Sequence, residues 1–395
     1  MQSERIEYEI KLDGDLHNIT EKKCDVRSTG LSYKVLKYDD SYVCDNDEKL
    51  GKYRSLVLSE PEGKLVCYTP PKTITPELFK ERYSTHSSDI LTNELVEGTL
   101  ISLFWDDRIN GWEIATKGSV GGNYWFYRMK YPTLDEAGAQ KTFRRMFLDA
   151  LRAGDEQDIN DVAIIKELLN GTPEERLCYN FILQHPDNHI VIPVEYPILY
   201  VISVYGIRSD DNIAVYYTPD HYPTFEGIIQ KPRLIKPADI DGLISKQSPH
   251  NMAGVMLTNL ITGDRASLEN ESYNIVREIR GNNPNLQYQY LFLRSINKVD
   301  DFLGYFPQYK KIFYRFFRQY EDFITEVHQS YLNYYIKKSV KTVSKKYFPV
   351  IYKLHHEVYI PSLACEKIIM KKKVVRENIL KMTPSYLIHF LNYEG

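Results

Sequence analysis

Glu94-Leu95-Val96-Glu97-Gly98-Thr99-Leu100-Ile101-Ser102-Leu103-Phe104, then after a polar segment at 106–111 Trp112-Glu113-Ile114-Ala115-Thr116-Lys117-Gly118-Ser119, reads as two strands joined by a turn. Apolar and β-branched residues dominate both runs, and the polar segment between them has turn chemistry. The neighbouring text on the N-terminal side is built the same way. A short strand over 52–58 turns at Pro61-Glu62-Gly63 into a second strand over 64–69, which Pro70-Pro71-Lys72 then breaks. Residues 1–50 are more polar, with turn signals at Asp13-Gly14 and Asp39-Asp40, and read as a lead-in.

On the C-terminal side the period changes. Residues 130–170 show helical spacing, with Phe143, Met146, Phe147 and Leu151 on one face and Ile164, Ile165, Leu168 and Leu169 on another. Gly171-Thr172-Pro173 reads as a stop followed by a new helix start capped by Thr172. Residues 198–205 form a continuous apolar run, as a buried strand does. A helix from Ser272 to Arg280 ends at Gly281-Asn282-Asn283-Pro284, and from Val299 onward the chain is helical. In that last part Ile312, Phe313, Phe316, Phe317, Tyr320, Phe323, Ile324, Val327, Tyr331 and Tyr334 recur at three- and four-residue steps. Pro349, Pro361 and Pro384 are expected to cut the remainder into short helices. The fold class is therefore α+β, with a lead-in over 1–50, a sheet-rich domain over 51–275 and a helical domain over 276–395.

Net charge is −3, with 50 Lys and Arg against 53 Asp and Glu, so the whole chain favours no charged partner. Its distribution is less even, since residues 310–381 hold 16 Lys and Arg but 6 Asp and Glu. A basic accessory domain produces such a split, as does a lysine-decorated solvated face. Among its cations, Lys310, Lys311, Arg315 and Arg318 interleave with the aromatic stripe and are candidates to contact RNA; the stripe itself also reads as core. Cys24, Cys44, Cys67, Cys178 and Cys365 are odd in number and contain no Cys-x-x-Cys pair, the usage of a reducing compartment without disulfide framework or zinc site. No signal peptide or membrane span is expected, so the protein reads as not secreted. The adjacent His355 and His356 would point apart on a helix, and no metal site is expected there. The heavy use of Tyr, Asn, Ile and Lys is compatible with an AT-rich viral coding sequence.

The central hairpin resembles the nucleotide-binding element of the RNA ligases of T-even phages, K-x-D-G-S-L-x-S followed by S-K-G-S. Aligned on Gly98, Thr99 and Leu100, Glu97 takes the place of the Asp and Leu95 that of the Lys. The lysine is the family's nucleophile toward ATP, and leucine has no lone pair with which to form a phosphoramidate. Arg54 and Lys72 lie in segments resembling the family's R-G-L-x-F and P-x-x-K-F-F-N elements and would face phosphate; each also reads as a surface cation. The run 178–191 looks like F-E-L-V-x-P-x-N-R-I-V, matching at Pro186, Asn188, Ile190 and Val191, with Ile182 where a Glu would hold the ribose.

Two sites compete for the E-G-x-V element. Glu226-Gly227-Ile228-Ile229 has the letters; Ala253-Gly254-Val255-Met256-Leu257 has the spacing to Ser267-Leu268-Glu269, where K-x-K would stand, and to Tyr273. The second is preferred, and on it the metal carboxylate and both phosphate-binding lysines are gone. The run 277–291 is similar to a junction in ligase-like proteins of giant DNA viruses, in which V-E-G-T and L-Q-H-P-x-N also replace the ligase forms. That resemblance covers most of 50–345.

The resemblance implies a nucleotidyltransferase domain of antiparallel sheets and a basic helical C-terminal domain. It implies a degenerate ligase-like protein that binds RNA or a nucleotide, through Arg54, Lys72, Glu97, Gly98 and Lys117, without covalent adenylylation. No catalytic residue is assigned. The alternatives are an active RNA ligase using ATP, Mg2+ and a relocated lysine, with Lys117 first and Lys231 second, or a structural virion component that keeps only the fold. Viral protein partners and a place in the infected cell's cytoplasm or in the virion follow from the same resemblance.

Overall fold

The computed structural model describes residues 5–12, 18–39, 41, 47–85, 87–124, 141–154, 157–188, 190–225, 227–364 and 366–393. Asp13, Gly14, Asp40, Cys44, Glu226, Cys365 and the start of the helical reading at 130–140 lie outside them. The chain divides into two compact units, the first running to Arg277 and the second starting at Glu278.

The first unit holds fifteen strands among the described residues: β1 (Glu7–Glu9), β2 (Ile19–Val26), β3 (Leu31–Tyr38), β4 (Leu56–Glu60), β5 (Leu65–Tyr68), β6 (Ile90–Glu94), β7 (Thr99–Asp106), β8 (Gly111–Thr116), β9 (Ser119–Val120), β10 (Arg176–Gln184), β11 (Ile198–Arg208), β12 (Ile213–Tyr217), β13 (Ile229–Gln230), β14 (Gly254–Asn259) and β15 (Arg265–Glu269). A large sheet runs β1-β12-β11-β10-β7-β8-β9, with β13 beside β11; a second runs β2-β3-β4-β5 and a third β15-β14-β6. All pairings are antiparallel except the two-residue one of β13 with β11. Residues 1–50 thus supply the edge strand β1 and half of the second sheet.

Two-residue periodicity sorts the strands between cores. On β10, Leu177, Tyr179, Phe181 and Leu183 pack with Phe143, Met146, Phe147 and Leu151 of the helix Phe143–Ala150. Cys178 points the other way, among Tyr33, Val35, Leu56, Val57, Cys67 and Tyr68 of the second sheet. The third sheet packs Val255, Leu257, Ala266 and Leu268 against Phe79 and Ile240. Strand β8 is buried along its whole length, including Glu113, whose carboxylate pairs with Arg144.

Three expectations about the first unit need correction. The run 94–104 is not one strand: β6 ends at Glu94 in the third sheet, and the chain crosses through 95–98 into β7 of the large one. Gly98 makes the crossing, with φ +153° and a Cβ position that would lie 2.5 Å from the Leu183 carbonyl. Thr172 caps no helix; it holds a turn by accepting from the Glu175 amide, and β10 starts at Arg176. Leu169 does not join Ile165 and Leu168 in the core, because its helix ends at Glu167 and leaves it 75% exposed.

In the second unit the helix Lys310–Tyr331 buries Phe313, Tyr320, Phe323, Ile324, Val327 and Tyr331. Arg376, from the helix Lys372–Leu380, grips Glu321 with two bonds of 2.7 and 2.6 Å. Residues 348–362 form one helical run, with a wide turn over Leu354–Tyr359 ahead of Pro361. Proline lacks an N–H, and the wider turn lets the run continue where a cut was expected. The last helix, Pro384–Leu391, is capped by Thr383, which accepts from the Tyr386 amide.

Candidate functional site

A cavity of about 730 Å³ opens in the first unit, and one wall is the face of the third sheet turned away from its core. The strand pairing arranges this wall in rows. Leu91, Thr258 and Arg265 form one; Asn93, Met256 and Ser267 form the next. In the third, Glu269 stands opposite Gly254, whose carbonyl accepts from the Leu95 amide at 2.9 Å. Leu95 lines the cavity beside these rows, with Gly98 of the crossing segment, Ile182 of β10 and Ile190 of the loop after it.

Charge is unevenly placed on this wall. Arg265 stands at one end and Glu269 at the other, the latter accepting from Asn274 at 2.8 Å and lying 3.8 Å from Arg277. Glu94, also in the lining, has its carboxyl pushed above the usual range by burial, which Arg233 at 3.4 Å partly offsets. Three buried polar atoms of lining residues have no hydrogen-bond partner: Asn93 Oδ1, Ser203 Oγ and Arg265 Nε. These atoms lie within the wall itself, where Arg265 also donates from Nη2 to the Pro71 carbonyl at 2.8 Å.

Of the residues singled out in the sequence, Arg54, Lys72, Leu95, Glu97 and Gly98 all line this cavity. Glu97 is 5% exposed, and its carboxylate accepts backbone N–H bonds from Ile190 at 2.9 Å, Val191 at 2.9 Å and Ile192 at 3.2 Å. Gln184 Nε2 donates to its carbonyl at 2.9 Å, and Asn188 donates to Thr99 at 2.9 Å. Pro186, Asn188, Ile190 and Val191 thus belong to a loop pinned to the start of β7, and Glu97 is the pin. Lys117 lies at the end of β8, its ammonium 5.4 Å from the centre of the Tyr38 ring, and Lys72 lies 5.9 Å from the same centre. The Tyr38 ring relates the two lysines. Lys231 also lines the cavity and donates to the Pro219 carbonyl at 2.7 Å.

No protein-family model matches the chain. No characterised protein matches it in sequence. In backbone it is similar to an RNA ligase of Naegleria gruberi, a lysine-to-alanine variant with ATP and Mn, at 10% identity over 48% of this chain and 51% of that one, with a TM-score of 0.27. It is also similar to an archaeal ATP-dependent RNA ligase, at 11% identity over 71% of this chain and 64% of that one, with a TM-score of 0.36. The chain therefore spans between half and two thirds of the length of the ligases it matches.

The cavity can be tested against the groups a ligase would use. Phosphate fits Arg54, Lys72 and Arg265. Among the described residues no three His, Cys, Asp or Glu side chains are grouped to hold a metal ion. Of the two segments that competed for E-G-x-V, 253–257 is β14 with Ala253 and Met256 in the lining, and Ser267 and Glu269 stand across from it. Glu226 lies outside the described residues. Arg265 was missed in the sequence, although the i, i+2, i+4 spacing of Arg265, Ser267 and Glu269 along one strand would have found it.

In the second unit Lys310, Lys311 and Arg318 are exposed and Arg315 is half-buried. Of the rings between them Phe313 is core and Phe316 half-buried, while Tyr314, 62% exposed, and Phe317, 38% exposed, are on the surface. His355 is committed to packing, stacked on Tyr335 at 3.7 Å with its Nδ1 3.1 Å from the Tyr331 hydroxyl. No helix is long and apolar enough to cross a membrane among the described residues.

Proposed function

We propose that this is a degenerate RNA ligase-like protein that holds a nucleotide, or the nucleotide end of an RNA, in the cavity of its first unit without forming a covalent bond to it. One observation carries the reading: Leu95, aligned with the nucleophilic lysine, lines the same cavity as Arg54 and Lys72. Cations remain to meet phosphate, while the aligned position offers no amine to attack it. Ile182, Ala253, Ser267 and Glu269, aligned with the ribose, metal and phosphate ligands of working ligases, line it too and support the same conclusion.

The test has two arms. Protein incubated with labelled ATP or GTP and Mg2+ or Mn2+, then run on a denaturing gel, should carry no label. Calorimetric titration of the same protein with ATP should show binding that Arg54→Ala with Lys72→Ala weakens by about tenfold or more, since hydrogen bonds to charged groups are each worth about 1.5–3 kcal/mol. A covalent label overturns the reading, as does a lack of any nucleotide binding.

The rival is an active ligase with a relocated lysine, and the shared Tyr38 ring favours it, since it relates Lys117 to a lysine of the cavity. A label abolished by Lys117→Arg would establish it. We further infer a viral origin from the V-E-G-T and L-Q-H-P-x-N forms. Detection of the protein in purified particles in stoichiometric amount would favour the virion component; detection only in infected-cell cytoplasm would favour the binding protein.

A further inference from the structure

The second unit carries a feature that the ligase resemblance does not use. A shallow cleft of about 770 Å³ is walled by Tyr334, Phe348 and Tyr386 and edged by Lys341 and Lys345. Its floor is fixed: Phe390 is 4% exposed and stacks on the core residue Phe323 at 6.5 Å, with planes 18° apart. The wall rings are held by edge-on contacts, Tyr334 with Phe348 at 6.0 Å and Tyr386 with Phe390 at 4.7 Å. Phe348 and Tyr386 nevertheless stay 38% and 37% exposed, so part of their π-surface faces the cleft.

The segment that forms the cleft is rich in lysine, with Glu357 paired to Lys353 at 3.7 Å and Glu326 near Tyr347. Residues 327–356 contain six lysines and no Asp or Glu. An apolar partner would gain nothing from that, and an aromatic wall gives a simple inorganic anion no purchase. Rigid aromatic faces beside unopposed lysines match a partner with flat π-surfaces strung along a polyanion. We propose that this cleft binds single-stranded nucleic acid, stacking bases on Tyr334, Phe348 and Tyr386 while Lys341 and Lys345 neutralise the flanking phosphates.

This goes beyond the nucleotide cavity and uses different residues from the Lys310, Lys311, Arg315 and Arg318 surface. A base in a duplex has no free face, so the site should discriminate single strands from double strands.

The experiment uses the full chain and fluorescence anisotropy with labelled oligouridylate and oligothymidylate of about a dozen nucleotides, within the site sizes such grooves cover. Single strands should bind at least about tenfold more tightly than a duplex of equal length. Tyr386→Leu, which keeps apolar volume, should weaken binding by about tenfold, in line with the loss of one stacked base. Lys341→Gln with Lys345→Gln should lower the slope of log affinity against log salt by about 1.4, two phosphate contacts at about 0.7 each. ATP titration of these variants should match the unaltered protein, which separates failure here from failure of the nucleotide cavity. Three results overturn the proposal: equal affinity for duplex, loss of binding through Lys310→Gln with Lys311→Gln but not through the cleft variants, or binding only to vesicles rich in phosphatidylserine or to an acidic peptide.

Discussion

The amide of Leu95 donates to the carbonyl of Gly254 at 2.9 Å, which joins the segment after β6 to β14 just where Glu269 stands on the next strand. A hydrocarbon and a carboxylate therefore both line the cavity at this end of the wall. Replacing one of them leaves the other unchanged.

Leu95→Lys should accordingly remain unlabelled by ATP with Mg2+. The new amine would meet Glu269 in place of a second cation, and the loss of one charge-stabilising group alone costs about 10²–10³ in rate. Adding Ile182→Glu, Ser267→Lys and Glu269→Lys to the same chain should bring a detectable label on a denaturing gel. A strong label from Leu95→Lys alone would show that the remaining framework is already competent.

Glu97→Ala should destabilise the first unit by about 2–4 kcal/mol in denaturant melts. The substitution strands the amides of Ile190, Val191 and Ile192, and each buried unpaired donor costs about 1–3 kcal/mol before relaxation. Because Ile190 lines the cavity, ATP affinity should fall with stability. Unchanged melts would mean the loop is held by its other contacts.

Gly98→Ala tests the crossing between sheets. A methyl group there meets the Leu183 carbonyl at 2.5 Å and Ile182 Cγ2 at 2.6 Å, and the backbone has φ +153°. Strain of this kind costs about 1–3 kcal/mol, and the clash with backbone adds to it. The expected result is a lower melting temperature or insoluble protein, and a neutral melt would refute the close approach.

Asp106 should make stability depend on acid. Burial pulls its carboxyl upward, but bonds from Arg108, whose Nη2 lies at 2.8 Å, and from the Tyr33 hydroxyl at 2.8 Å outweigh this and hold it below the ordinary value. A depressed carboxyl stabilises fully above its unfolded value of about 4 and stops doing so as pH falls through the lower folded one. Asp106→Asn should therefore lose stability at pH 7 and show a smaller further drop between about pH 4 and pH 2 than the unaltered chain, measured by denaturant midpoint against pH.

Local chemistry made much of this fold legible. The turn at 106–111, the breaks at Pro61-Glu62-Gly63 and Pro70-Pro71, and the helix stop at Gly281, which has φ +67°, each follow from a residue's own backbone preferences. Grouping Arg54, Lys72 and Leu95 in one cavity came from motif resemblance. What stayed hidden depends on partners distant in sequence. Nothing near Glu97 announces that its carboxylate will hold amides more than ninety residues away. Likewise Cys67 and Cys178, 111 positions apart, place their thiols 3.5 Å from one another as buried free cysteines. Arg265 is ordinary in the text and becomes notable only when three strands align it with Thr258 and Leu91.

Tyr38 ends β3, Lys72 follows β5 and Lys117 follows β8, so a single phenol ring brings together two ammonium groups delivered by two different sheets. The electron-rich face of the ring attracts both cations. Loss of that one ring would remove a contact from each lysine, so a single substitution at Tyr38 would reach both sheets at once.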